Sequence, residues 1–155
     1  MTAVSALAAA GDGPPLAPPL VRPAADRIGS ALRDRMILVL EDEVFIAAEL
    51  REALEAAGAR VAYARTLRKA LRLIDETRLD GAILDVTLGS GLTCEPAAAA
   101  LRRRGTPFVL HSGDLMRQGE VIATIDAPLI PKPSAAEDVI AGLARALPPA
   151  APADA

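Results

Sequence analysis

Five short apolar runs, each followed by a stretch whose apolar residues recur at helical spacing, restrict this chain more than any other feature it has. "MILVL" (Met36 to Leu40) contains no polar residue, the pattern of a strand buried on both faces. After it, Ile46, Leu50 and Leu54 fall four apart with Ala47, Ala53 and Ala57 beside them, and Gly58 stands where a helix C-cap glycine belongs. "RVAYA" (Arg60 to Ala64) reads as a second strand, and Thr66 is placed to N-cap a helix with Leu67, Ala70, Leu71 and Ile74 on one face. "GAILD" (Gly81 to Asp85) is a third strand, and "EPAAAALRRR" (Glu95 to Arg104) a third helix with Pro96 in its first turn. "PFVLH" (Pro107 to His111) is a fourth strand. "DLMRQGEVI" (Asp114 to Ile122) is a weak fourth helix interrupted by Gly119, and "APLIP" (Ala127 to Pro131) a fifth strand whose prolines suit a sheet edge. Ser134 and Glu137 read as a capping box that opens a last helix, turning Val139, Ile140, Leu143, Ala144 and Leu147 inward.

Strands alternating with helices imply an α/β domain with a parallel sheet covered on both faces. Right-handed crossovers leave few topologies, and ligands in such sheets bind beyond the carboxyl ends of the strands. With two Phe, one Tyr and no Trp, the core must be aliphatic.

The flanks differ in composition. Residues 1–33 and 148–155 hold eight of the 13 prolines, among many alanines, and read as disordered or loosely ordered extensions around a domain at 34–147. The longer one is either loose or docked on the domain or a partner. No Lys or Arg precedes Arg22, so a secretion signal is not expected. No apolar run approaches the roughly 18 residues of a membrane span. A net charge of -3 gives no bulk attraction to nucleic acid. One cysteine, Cys94, excludes an intrachain disulfide and fits a reducing, cytoplasmic compartment.

The chemistry gathers at the strand ends. The first strand runs into Glu41, Asp42 and Glu43; the third ends in Asp85; the fourth is followed by Ser112; the fifth by Lys132. Three like charges in a row repel unless something positive sits among them. Two carboxylates and a backbone carbonyl suit a hard divalent cation such as Mg²⁺, which waits for a phosphate, and Lys132 supplies a second positive charge. Asp85 can then attack phosphorus, with Ser112 bonding the bound group.

"ILVLEDE", "AILDVTLGSG", "FVLHSG" and "PLIPKP" together resemble the motifs of the CheY-like receiver domain of two-component response regulators, over about residues 35–147. The resemblance implies a flavodoxin-like (βα)5 doubly wound fold of strand order 2-1-3-4-5. It makes Asp85 the phosphoacceptor, Asp42 the direct metal ligand, Glu41 its companion acting through water, and the Thr87 carbonyl a further ligand. Ser112 becomes the hydroxyl switch residue and Lys132 the lysine before proline. The implied donor is a histidine kinase, of HWE or related type, or a phosphotransfer protein. Pro107, Phe108 and Gly113 match the stand-alone Pro-Phe-x-Phe-Ala-Thr-Gly-Tyr subgroup, whereas Leu110, His111, Ser112 and Asp114 depart from it. At position 129, where the family has Tyr or Phe, this chain has Leu129, so the aromatic switch is missing.

The expected function is therefore a single-domain response regulator that signals by protein contact. It is not an enzyme beyond accepting and slowly losing its own phosphoryl group. With eight residues after Leu147, no DNA-binding output domain is expected. Receivers pair through the fourth helix, fifth strand and fifth helix, which makes that face the candidate for a homodimer. Two rivals stand beside this. One is a pseudo-receiver scaffold; the other is a haloacid-dehalogenase-type phosphatase, which wants an acid where Thr87 stands. Residue by residue, plainer readings exist: helix-start acids for Glu41 to Glu43, a turn for Ser112 and Gly113, a solvated helix end for Arg102 to Arg104. His111 reads as a strand-end residue near the site and not essential, Cys94 as a small side chain at a helix start, and Phe45 as either a kinase contact or a loop-packing residue.

Overall fold

The computed structural model describes residues 24–89 and 91–151. The elements are α1 (Ala24–Leu32), β1 (Met36–Leu40), α2 (Val44–Ala56), β2 (Arg60–Ala64), α3 (Leu67–Glu76), β3 (Gly81–Asp85), α4 (Glu95–Arg103), β4 (Phe108–Ser112), α5 (Gly119–Ile125), β5 (Leu129–Pro131) and α6 (Ala136–Ala146). The five strands form one sheet of order β2-β1-β3-β4-β5, every neighbouring pair parallel. The predicted α/β class and strand order are those observed.

Because side chains alternate across a strand, each strand feeds two cores. Leu38, Leu40, Ala82, Leu84, Phe108 and Leu110 pack with Ala70, Ile74, Ala97, Leu101 and Ile125, from α3, α4 and α5. Ile37, Val39, Ile83 and Val109 pack with Leu32, Leu50, Leu54, Val139 and Leu143, from α1, α2 and α6. Burial on both faces is why the inner strands β1, β3 and β4 read as nearly continuous apolar runs. The α2 terminus follows its sequence signal. Gly58 sits at φ 89°, its N–H bonds Glu55 O at 2.9 Å, and the Ala59 N–H bonds Leu54 O at 3.0 Å, a Schellman closure. Thr66 caps α3 by accepting from the Lys69 N–H.

Several expectations change. Residues 24–32, assigned to the loose extension, form a helix. Ile28 and Leu32 face the α2/α6 core, and Leu32 is fully buried. The proline-rich composition upstream masked this short amphipathic turn; residues 1–23 and 152–155 lie outside the described residues. The fourth predicted helix starts later, at Gly119. Asp114 draws the backbone into a turn instead, its carboxylate accepting from the Arg117 N–H and its carbonyl from the Gln118 N–H, both at 3.1 Å. The capping box does not form. Ala135 is the N-cap of α6 without a side-chain bond, and the Ser134 hydroxyl donates to the Pro131 carbonyl. β4 runs one residue further than its apolar run, taking in Ser112, and β5 is shorter than its own.

Candidate functional site

The alternation that fills the cores continues past the strand ends. Glu41 extends the row of Ile37 and Val39, Asp85 that of Ile83, and His111 that of Val109. Parallel pairing sets Asp85 beside His111 and Ser112 beside Pro131, so the acids of β1 and β3 meet the lysine that follows β5 on one rim.

Carboxylate oxygens of Glu41, Asp42 and Asp85 lie within 4.8 Å of one another. The Lys132 ammonium is 3.0 Å from Glu41 Oε2, 3.5 Å from Asp85 Oδ2 and 3.8 Å from Glu43 Oε1. Three sequence-chosen acids and the lysine therefore share one site. Glu41 is almost wholly buried: its Oε1 accepts from the Glu43 N–H at 3.1 Å, while Oε2 faces the lysine with no aligned hydrogen bond. Two residues not singled out from sequence shape this corner. The Tyr63 hydroxyl donates to the Glu41 carbonyl at 2.9 Å and pins the loop after β1. Gly89 leaves room for Asp42, since a Cβ there would stand 2.8 Å from Asp42 Oδ2.

The charges do not balance. Asp85 is pushed up to about 8, by burial first and then by Glu41, with Lys132 opposing and Asp42 adding to the rise. Burial would lower the lysine, but Glu41, Asp85 and Glu43 together hold it above its usual value. A site in which one ammonium leaves a strand-end carboxylate this reluctant to ionise has room for further positive charge. The donor set fits a hard divalent ion: clustered carboxylate oxygens, one of them buried without an aligned donor.

Ser112 is fully buried, and its hydroxyl is engaged. It donates to Gln118 Oε1, and Gln118 Nε2 donates to Thr87 Oγ1, so one carboxamide bridges the ends of β3 and β4. Thr87 is held by backbone bonds on either side, Leu88 N–H to Leu92 O and Cys94 N–H to Val86 O. Nothing in the sequence marked Gln118, because its role depends on the turn that Asp114 makes. Leu129 lies partly buried on β5, paired with Leu110, and presents no ring to the site.

His111 is buried, with neither ring nitrogen partnered, and lines a cleft of about 440 Å³ with Glu43, Glu49, Lys132 and Ser134. Burial, and then Lys132, lower it to about 4. Cys94 is a buried N-cap whose thiol burial pushes up to about 12, which leaves it inert. Arg102 stacks on Phe108, and Arg104 pairs with Asp75 at 3.1 Å, so two of the three arginines are engaged within the chain. Phe45 is 87% exposed, so it does not pack on a neighbouring loop.

No family model matches the sequence, and neither does any curated protein. Solved structures do. The chain is similar to a response regulator receiver protein from Sinorhizobium medicae, with 20% identity, a TM-score of 0.65, and 72% of this chain and 93% of that one covered. The fold is that of a response-regulator receiver domain. The chemotaxis protein CheY4 of Vibrio cholerae gives 23% identity and a TM-score of 0.65 over 74% of this chain and 99% of that one. The response regulator PhyR from Brucella abortus gives 24% identity and a TM-score of 0.66 over 79% of this chain, which spans about half (51%) of PhyR. Ligands of open parallel sheets bind beyond the carboxyl ends of the strands, the rim that carries Asp85 here. The special subgroup suggested by "PFVLHSG" is not distinguished by these likenesses. No helix among the described residues is long and apolar enough to cross a membrane.

Proposed function

We propose that this receiver domain accepts a phosphoryl group on Asp85 and passes a signal on by protein contact. The observation that carries the reading is Lys132 Nζ lying 3.0 Å from Glu41 and 3.5 Å from Asp85, inside a three-carboxylate cluster. A lysine so placed can reach an oxygen of a phosphoryl group on Asp85 and stabilise the charge that grows there in transfer. Asp42, Asp85 and the Thr87 carbonyl would hold Mg²⁺, with Glu41 acting through water. When bound, the ion supplies the positive charge that lets a phosphate approach three acids.

The donor is the phosphohistidine of a histidine kinase or phosphotransfer protein. An Asp85 carboxylate oxygen forms the new bond to phosphorus. The phosphorus–nitrogen bond breaks, and its electron pair leaves on the donor imidazole. Large apolar side chains exposed among the described residues support a protein donor: Val44, Phe45, Leu92, Leu115 and Met116 all stand on the loops and first turn that surround the site. The haloacid-dehalogenase reading needs an acid where Thr87 stands, and the scaffold reading leaves Lys132 and the acid cluster without a purpose.

Incubation with acetyl phosphate and Mg²⁺, followed by intact-mass measurement, tests the proposal. One phosphoryl adduct that decays over minutes to hours, and is absent in Asp85→Asn, is expected. No adduct on the wild type would leave the scaffold reading, and continuous hydrolysis of phosphomonoesters the phosphatase.

A further inference from the structure

A hydroxyl has one proton to give. Ser112 gives it to Gln118 Oε1, while the same carboxamide donates from Nε2 to Thr87 Oγ1. Ser112 lies one residue beyond the register partner of Asp85, and Thr87 two residues after Asp85, so Gln118 closes over the end of β3 from the β4–α5 turn. Gln118 is also the N-cap residue of α5: its N–H bonds Asp114 O at 3.1 Å and its carbonyl accepts from the Ile122 N–H at 2.9 Å.

We infer that Gln118 is a latch and a positioning residue of this site, holding the Ser112 hydroxyl while Asp85 is unmodified and giving it up to a phosphoryl oxygen when Asp85 is phosphorylated. This rests on the proposed phosphoacceptor role of Asp85. The exchange is exclusive, because the single Ser112 proton cannot serve both acceptors. A charged phosphoryl oxygen is the stronger acceptor, since charge-assisted hydrogen bonds are about twice as strong as neutral ones. Losing its bond to Ser112, the carboxamide keeps only its bond to Thr87 and holds the turn less firmly, and Gln118 carries the first turn of α5 through its own backbone. Gly113 and Gly119 bracket the segment and lower the cost of re-forming it. The exposed Leu115 and Met116 ride on this turn, so their presentation to a partner changes with the latch. A coupling of this kind needs no aromatic at position 129, where Leu129 stands.

The test uses the full chain with Mg²⁺ and beryllofluoride as the phosphoryl mimic, in the wild type, Gln118→Leu, Ser112→Ala and the double variant. Gln118→Leu should bind beryllofluoride about five- to tenfold tighter than the wild type, the worth of one hydrogen bond no longer surrendered. In the Ser112→Ala background the same substitution should change nothing, an outcome that a merely structural role for Gln118 does not give. Hydrogen exchange over 114–122 should quicken on adding beryllofluoride to the wild type, and should already be fast in Gln118→Leu without it. Gln118→Asn, too short to span the two hydroxyls, should behave like Gln118→Leu. A wild type that binds while Gln118→Leu binds equally well, or tightens regardless of Ser112, overturns the latch alone. A wild type that binds no beryllofluoride overturns the phosphoacceptor reading and the latch with it.

Discussion

Lys132 stands between charges that would otherwise repel one another. Replacing it with Ala leaves Glu41 and Asp85 buried without their ammonium, the situation in which breaking a buried pair costs about 3–5 kcal/mol. Lys132→Ala should therefore lower the urea midpoint of the metal-free chain, and Mg²⁺ should restore part of the loss. His111 makes a pH prediction. Its folded value of about 4 lies below the ordinary 6.5, so between these the unfolded chain binds more protons. The stability that His111 contributes is complete above pH 6.5 and is lost as pH falls toward 4, by at most about 3 kcal/mol. Asp85, raised to about 8, acts with the opposite sign, making the metal-free fold weaker as pH rises. Comparing His111→Gln with the wild type in urea titrations from pH 4 to 7 isolates the first effect. The variant should lose less stability on acidification, although Glu43, Glu49 and Lys132 line the same cleft in both proteins. An unchanged acid limb would contradict this.

At the scale of elements, one close approach and one buried side chain decide how two helices sit on the domain. Gly142 lies inside α6, where a Cβ would stand 2.6 Å from Ile130 Cδ1 on β5. Alanine there improves helix propensity by about 1 kcal/mol, but overpacking costs about 1–3 kcal/mol. Gly142→Ala should therefore destabilise by about 1 kcal/mol. With Ile130→Val added, which removes the offending methyl, the double variant should lose less stability than the two single losses sum to, as read by a double-mutant cycle in denaturant. Leu32 makes the matching point for α1. It is fully buried against the α2/α6 side, so Leu32→Ala should cost about 2–5 kcal/mol, whereas a loose extension would cost almost nothing.

At the scale of the whole molecule, the site and the fold are coupled through charge. A divalent ion that binds only the folded arrangement of Glu41, Asp42 and Asp85 stabilises the entire domain. At one hundred times its dissociation constant the gain is about 2.7 kcal/mol, or roughly 5–10 °C in melting temperature for a chain of this size. Mg²⁺ should raise the melting temperature by this order in the wild type, and Asp42→Asn should abolish most of the rise. Indifference of both proteins to Mg²⁺ would count against the cluster as a metal site.

The five apolar runs and their helical partners determined the sheet, because a parallel sheet covered on both sides leaves its inner strands β1, β3 and β4 almost no solvent face and writes that fact into consecutive residues. Strand ends in such a sheet must converge, so Glu41, Asp42, Asp85 and Lys132 were legible as neighbours from their places alone. Tertiary structure alone decided what lies between and around them. Gln118 joins Ser112 to Thr87 only because Asp114 diverts the chain into a turn, and a side-chain bond across 31 residues leaves no periodic trace. Tyr63 and Gly89 serve the site through one hydroxyl and one missing methyl, which local spacing does not encode. The helix at 24–32 escaped notice because its stability comes from docking Leu32 on a core built by residues far downstream, and not from its own propensity.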